Sequence, residues 1–120
     1  MQTTYTAAMQ GIKTAINTQL WDEAAGLYYD NDTVRVPESV HPQDGNSWAI
    51  LAGIASPERA VSISQKLMER WVRPYGSPAP EAGPTISPFA SGFEVQAHYL
   101  AGFPERAEEL MEVMWADFML

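Results

Sequence analysis

Apolar positions along the chain fall into two alternating kinds of segment. Tyr5, Ala8, Met9, Ile12, Ala15, Ile16 and Leu20 recur at helical spacing, with Lys13, Asn17 and several threonines elsewhere. This predicts an amphipathic first helix, capped by Thr3 or Thr4 and ending near Leu20-Trp21-Asp22. A second helix, capped by Asn46 or Ser47 and running to about Gly53, is apolar on almost every face, as a buried helix is. The third, from Pro57 to about Val72, turns Ala60, Ile63, Leu67, Met68 and Trp71 one way and Arg59, Ser62, Gln65, Lys66, Glu69 and Arg70 the other. A fourth, from about Ala90 to Leu100, has few charges, only Glu94 and, when protonated, His98. The fifth, from Pro104 onward, groups Ala107, Leu110, Met111, Met114 and Phe118 opposite a glutamate-rich surface. Amphipathic and buried helices in strict alternation suit a two-layer ring of outer and inner helices.

One turn is written twice. Leu51-Ala52-Gly53-Ile54-Ala55-Ser56-Pro57-Glu58-Arg59-Ala60 returns as Leu100-Ala101-Gly102-Phe103-Pro104-Glu105-Arg106-Ala107. Glycine suits the left-handed position that ends a helix, and proline suits the first turn of the next. Glutamate follows where the helix dipole favours it. Each copy therefore predicts an αα-hairpin, and two copies predict an array of helix pairs.

Two stretches interrupt the helices. Leu27-Tyr28-Tyr29 and Thr33-Val34-Arg35-Val36 have strand character around the turn cluster Asp30-Asn31-Asp32, so a short irregular β-like hairpin or an extended loop is expected over 27–36. Pro74 to Pro88 is too rich in proline and glycine for helix or central strand. It is expected either to fold over the helix ends or to be flexible.

Charge and composition narrow the function. Seven basic against 15 acidic residues give a net charge of −8, which argues against nucleic acid or an anionic membrane as partner. With 46% hydrophobic residues the chain supports a globular core, and its 120 residues bound it to one domain at most. Zero cysteines exclude disulfides and thiolate metal sites. No signal-peptide pattern opens the chain, and its longest apolar run, Trp48 to Ala55, is far shorter than a membrane span. Thirteen aromatic residues suit either a thick helical core or a sugar-stacking surface.

Leu20-Trp21-Asp22, Gly26-Leu27-Tyr28 and Gln43-Asp44-Gly45-Asn46-Ser47-Trp48-Ala49-Ile50 resemble the six-hairpin glycosidases, and among them the α-L-rhamnosidase catalytic domain. Ser87-Pro88-Phe89, Phe93-Glu94 and Met114-Trp115-Ala116-Asp117-Phe118-Met119-Leu120 fit in the same order. The resemblance implies an all-α fold, a partial (α/α)6 toroid in which the second and fourth helices are inner and residues 1–120 are part of a single domain. It implies hydrolysis of a terminal α-L-rhamnoside with inversion, without a cofactor. The family's general acid precedes the part resembled, and its general base follows the Trp-Ala-Asp-Phe-Met-Leu region. Neither catalytic carboxylate is thus expected here, and the chain alone is expected to be inactive. The apolar ending at Phe118-Met119-Leu120 fits a chain cut inside its fold, with self-association through exposed inner helices.

Among residues at the expected inner-helix entries, Asp44 and Glu94 are the carboxylates that could face one cleft. Gln43 and Asn46 flank Asp44, and Trp48 and Phe89 offer stacking faces. These six are the candidate substrate-binding residues. Four have a plainer reading: Asp44 as a turn cap, Asn46 as a helix cap, Trp48 as core, and Glu94 as the partner of an arginine or a backbone amide. Glu94 and His98 at i, i+4 lack a third metal ligand, His41 being no obvious partner, so no metal is expected. No nucleophile motif supports a Ser-His-Asp site, and Gly76 to Gly83 lacks the phosphate-loop ending. Two further readings remain: a non-catalytic helical-repeat module binding a glycan or a protein, and a small enzyme using Asp44 and Glu94.

Overall fold

A computed structural model describes residues 1–33 and 40–116. Helices α1 (Gln2–Gln19), α2 (Gln43–Leu51), α3 (Pro57–Met68), α4 (Pro88–Leu100) and α5 (Pro104–Met111) carry the fold. Strands β1 (Trp21–Asp22) and β2 (Leu27–Tyr28) pair antiparallel between α1 and α2. The repeated turn folds the same way both times. Gly53 and Gly102 adopt φ of 66° and 92°. The next amide then reaches back five residues, Ile54 to Ala49 O and Phe103 to His98 O, each at 2.9 Å. This is the Schellman closure that a left-handed glycine permits. Pro57 and Pro104 open the following helices, and Ser56 Oγ caps the first of them on Arg59 N.

The repeat extends beyond the turn. Arg59 of α3 reaches 42 residues back to Asn17 Oδ1 on α1, at 2.6 Å. Arg106 of α5 reaches 42 residues back to Ser64 Oγ on α3, at 2.9 Å. Arg59 and Arg106, like Asn17 and Ser64, stand 47 positions apart. Each guanidinium also lies over an aromatic ring, Trp21 at 4.4 Å or Phe103 at 3.8 Å. Helices α1, α3 and α5 are thus equivalent members of an outer row, each stitched to the one before it. Helices α2 and α4 pack side by side as the inner pair. The mostly helical chain, with its small two-stranded sheet, is compatible with a partial all-α toroid of helical hairpins.

Two apolar clusters fill the space between the rows. Leu27, Tyr28, Ala49, Ile50, Ile63 and Leu67 belong to one, and Val95, Ala107, Leu110 and Met114 to the other. Helix α1 joins the first only through its C-terminal end, at Ile16 and Leu20. Tyr5, Met9 and Ile12, on the face expected to be buried, are all more than half exposed. They border a groove of about 450 Å³ shared with Ala52, Gly53 and Ile54. Among the described residues nothing covers that face. No helix of the described residues is long and apolar enough to cross a membrane.

Other boundaries move for identifiable reasons. Leu27 and Tyr28 form a strand as expected, but their partner is Trp21-Asp22, because Gly26 (φ 69°) and the Asp22 carboxylate close the turn between them. Val34 to Val36, the other expected strand, lie outside the described residues, as does Phe118. After α5 the chain makes one π-helical turn, Glu112–Ala116. The wider turn brings both Val113 and Met114 inward and leaves Met111 more than a third exposed. Helix α3 stops at Met68, so Trp71 lies in the turn beyond it. The proline-rich loop folds over the helix ends: it forms bridges at Val72–Gly76 and Pro78–Ile86, a 3-10 turn at Pro80–Ala82, and buries Ser77 and Ala79.

Candidate functional site

Helix α2 begins at Gln43, earlier than its sequence predicts, because its cap comes from elsewhere. Pro42 precedes it in an extended conformation and donates no capping side chain. Glu81, in the loop folded over this end, accepts from Gln43 N at 2.9 Å and Asp44 N at 3.1 Å. A carboxylate there satisfies two orphan amides and faces the positive end of the helix dipole. Asn46 is therefore not a cap but lies inside the helix, fully buried. Its Oδ1 accepts from Tyr28 N at 2.8 Å, and its Nδ2 donates to Tyr28 O at 3.0 Å and Pro42 O at 2.8 Å. The amide thus copies a strand's pairing and clamps α2 to β2.

Behind α2 lies a sealed polar core centred on Glu94 of α4, which is 0% exposed. Gln43 Nε2 donates to Glu94 Oε2 at 2.6 Å, and Ser77 Oγ donates to the same oxygen. Trp71 Nε1 donates to Oε1 at 2.7 Å, and His98 Nε2 faces Oε1 at 3.2 Å. Burial pushes the Glu94 carboxyl up, but hydrogen bonds from His98, Ser77 and Trp71 outweigh it and hold the group below its ordinary value. On the far side of His98, Nδ1 meets Ser64 Oγ at 2.7 Å, and Arg106 donates to that oxygen at 2.9 Å. The Glu94 carboxylate can only accept, so His98 Nε2 is the donor to it. Ser64, His98 and Glu94 are drawn up like a hydrolase triad. All three are 0% exposed, so no substrate reaches the hydroxyl. Their chemistry is structural: they join α2, α3, α4 and the turn at Trp71.

In front of α2 is an open pocket of about 390 Å³, walled by Tyr28, Tyr29, Asp30, Pro42, Asp44, Gly45, Trp48 and Glu81 with Ile16, Leu20 and Ile54. Asp44 is exposed there, its Oδ1 accepting from Gly45 N at 2.6 Å. A scaffold beneath fixes the rim. Tyr29 bonds to Asp22 and, with the amides of Ala25 and Ala24 and the ring of His41, holds that carboxyl below its ordinary value against a smaller effect of burial. Tyr29 also stacks on His41, centroids 4.7 Å apart, and His41 Nε2 lies 3.0 Å from Asp22. Arg70 donates to His41 O at 2.8 Å, and burial lowers its guanidinium while the charges of Glu94 and Glu81 oppose that.

The six residues singled out in the sequence thus divide. Asp44 and Trp48 line the pocket. Gln43, Asn46 and Glu94 are buried behind it, in the scaffold that sets the α2 entry. Phe89, 78% exposed, stands at the head of α4. Glu81, Tyr29 and Asp30 on the pocket wall went unnoticed. Glu81 has no local signal, since it reaches α2 only through the folding of a proline-rich loop. Among the described residues no cluster of three or more His, Asp or Glu is placed to hold a metal ion.

Comparison with known proteins matches residues 1–91 to the family model described as trehalase. Over 59 residues the chain is 34% identical to a cytosolic neutral trehalase of Emericella nidulans, which covers 49% of this chain and 8% of the relative. A cytosolic neutral trehalase of Pyricularia oryzae gives the same identity and coverage. One of Neurospora crassa is 31% identical over 58 residues, 48% of this chain and 8% of the relative. The match therefore spans under a tenth of each relative's length. A six-hairpin glycosidase-type domain stands, whereas the α-L-rhamnosidase branch does not find support, because the family and the relatives matched are trehalases.

Proposed function

Because the chain belongs to the trehalase family, we propose that it forms part of the substrate cleft of a glycoside hydrolase acting on trehalose, with the pocket before α2 taking one glucose ring. The observation that carries this reading is the pocket wall: Asp30, Asp44 and Glu81 beside Tyr29 and Trp48. Carboxylates accept from sugar hydroxyls, and an aromatic ring covers the apolar face of a pyranose. A neutral sugar is indifferent to the net charge of −8. Gln43, Asn46 and Glu94 serve the site as positioning residues, through the entry of α2. Hydrolysis needs two carboxyl groups set across the scissile bond, roughly 5–9.5 Å apart depending on stereochemistry. In this proposal no residue described here supplies that pair, and the chain's share of the work is binding.

Asp44 is the direct test. Its carboxylate is exposed and holds only a local amide, so Asp44→Ala leaves the fold intact. Loss of a charged hydrogen-bond acceptor is expected to weaken trehalose binding about tenfold, read by calorimetric titration. A terminal α-L-rhamnoside, the ligand implied by the sequence resemblance, is expected not to compete. Equal trehalose affinity in wild type and variant, or preference for the rhamnoside, would sink the assignment.

A further inference from the structure

The outermost members of the outer row, α1 and α5, each keep one apolar face uncovered by the described residues, and the two faces differ in charge. Helix α1 contains no aspartate or glutamate, and its one charged side chain is Lys13. Lys13 borders the groove of about 450 Å³ with Tyr5, Met9, Ile12 and Ile54. Among the described lysines and arginines, Lys13 alone makes no side-chain hydrogen bond or ion pair. Arg59, Arg70 and Arg106 donate to Asn17, His41 and Ser64, and Lys66 and Arg73 pair with Glu69 and Glu109. Helix α5 has the reverse charge. Glu108 and Glu112, both exposed, share an open surface with Met111 and Trp115. Glu109 is held by Arg73, but neither Glu108 nor Glu112 has a partner among the described residues.

A net charge of −8 makes copies of this chain repel one another. An acid-free helix is where that repulsion is weakest. Pairing α1 with α1 leaves both lysines without an acid, and pairing α5 with α5 sets glutamates against glutamates. Only α5 on α1 joins unlike charges and also covers apolar side chains on both sides. We propose that a second copy of this chain docks head to tail, with its α5 in the α1 groove of the first. Met111 and Trp115 then meet Tyr5, Met9 and Ile12, while Glu108 and Glu112 stand beside Lys13. The contact is heterologous, since each copy contributes a different face. It is independent of the sugar pocket.

The test is sedimentation velocity over a concentration series on wild type, Lys13→Glu, Glu112→Lys and the double swap, with circular dichroism to check helix content. Neither charged group has a partner to lose within the fold. Wild type is expected to self-associate, and each single variant to do so about three- to tenfold more weakly, the scale of one exposed ion pair turned repulsive. The double swap should recover the wild-type affinity. An equimolar mixture of the two single variants should also associate more tightly than either alone, because each then meets its opposite charge. A wild type that stays monomeric throughout the series overturns the proposal. So does association unaffected by either variant, which places the contact elsewhere. A mixture no tighter than its components points to like faces meeting and overturns it as well.

Discussion

Replacing Glu94 by alanine is expected to cost about 3–5 kcal/mol of folding stability, the scale seen when one partner of a buried charged network is removed. Four donors converge on this carboxylate: Gln43 Nε2, Ser77 Oγ, Trp71 Nε1 and His98 Nε2. Alanine leaves all of them buried without their carboxylate acceptor, so their desolvation is no longer offset. Urea denaturation followed by tryptophan fluorescence measures the loss directly, and Trp71 reports from the site itself. The same group sets an acid limb. Its folded pKa lies below the ordinary value of 4.5. Its contribution is therefore fully present above pH about 4.5 and is lost as pH falls through the folded value. Glu94→Gln, which cannot ionise, should flatten this limb. It should not abolish it, because the Asp22 carboxyl is also held low, by Tyr29, backbone amides and His41. A limb of unchanged slope in Glu94→Gln would show that the buried carboxylate does not carry the pH dependence.

Asn46→Asp should be nearly as damaging, at about 2–4 kcal/mol, although it changes one atom. The asparagine amide donates to Tyr28 O and Pro42 O while accepting from Tyr28 N. A carboxylate keeps the last bond but turns an oxygen toward two carbonyl oxygens in a fully buried position. Protonation offers the only relief, so the variant should regain stability as pH falls, opposite in sign to Glu94. If Asn46 were merely a surface cap, aspartate would serve as well, since both residues cap helices. Denaturation midpoints of wild type and variant at two pH values separate these cases.

The contrast between Asn46 and the repeated turn explains what could be read in advance. Gly53, Pro57, Gly102 and Pro104 act on their own backbone dihedrals, so the hairpins were legible from neighbouring residues alone. The inner character of α2 and α4 was legible because little in either helix is charged. The direction of Glu94 was not: a helix with so few polar groups gives its period no wet face to mark. The start of α2 was hidden because its cap, Glu81, lies 38 residues from Gln43 in sequence. Tyr5, Met9 and Ile12 form a true apolar stripe, but a stripe does not say whether a neighbour covers it. Of the site, Asp44 and Trp48 were visible as polar and aromatic residues at a helix entry. Tyr29 and Asp30 reach the same pocket through the β1–β2 hairpin, whose first strand, Trp21-Asp22, reads in the sequence as the end of a helix.

The most direct measurement is a trehalose titration of the ¹⁵N-labelled chain followed by amide and indole chemical shifts. The account predicts saturable changes at Tyr29, Asp30, Asp44, Glu81 and the Trp48 indole, which line the pocket. Ser64 and His98, sealed behind α2, should stay still. Shifts confined to the α1 groove around Met9 and Ile54, or no shift at saturating sugar, would contradict it.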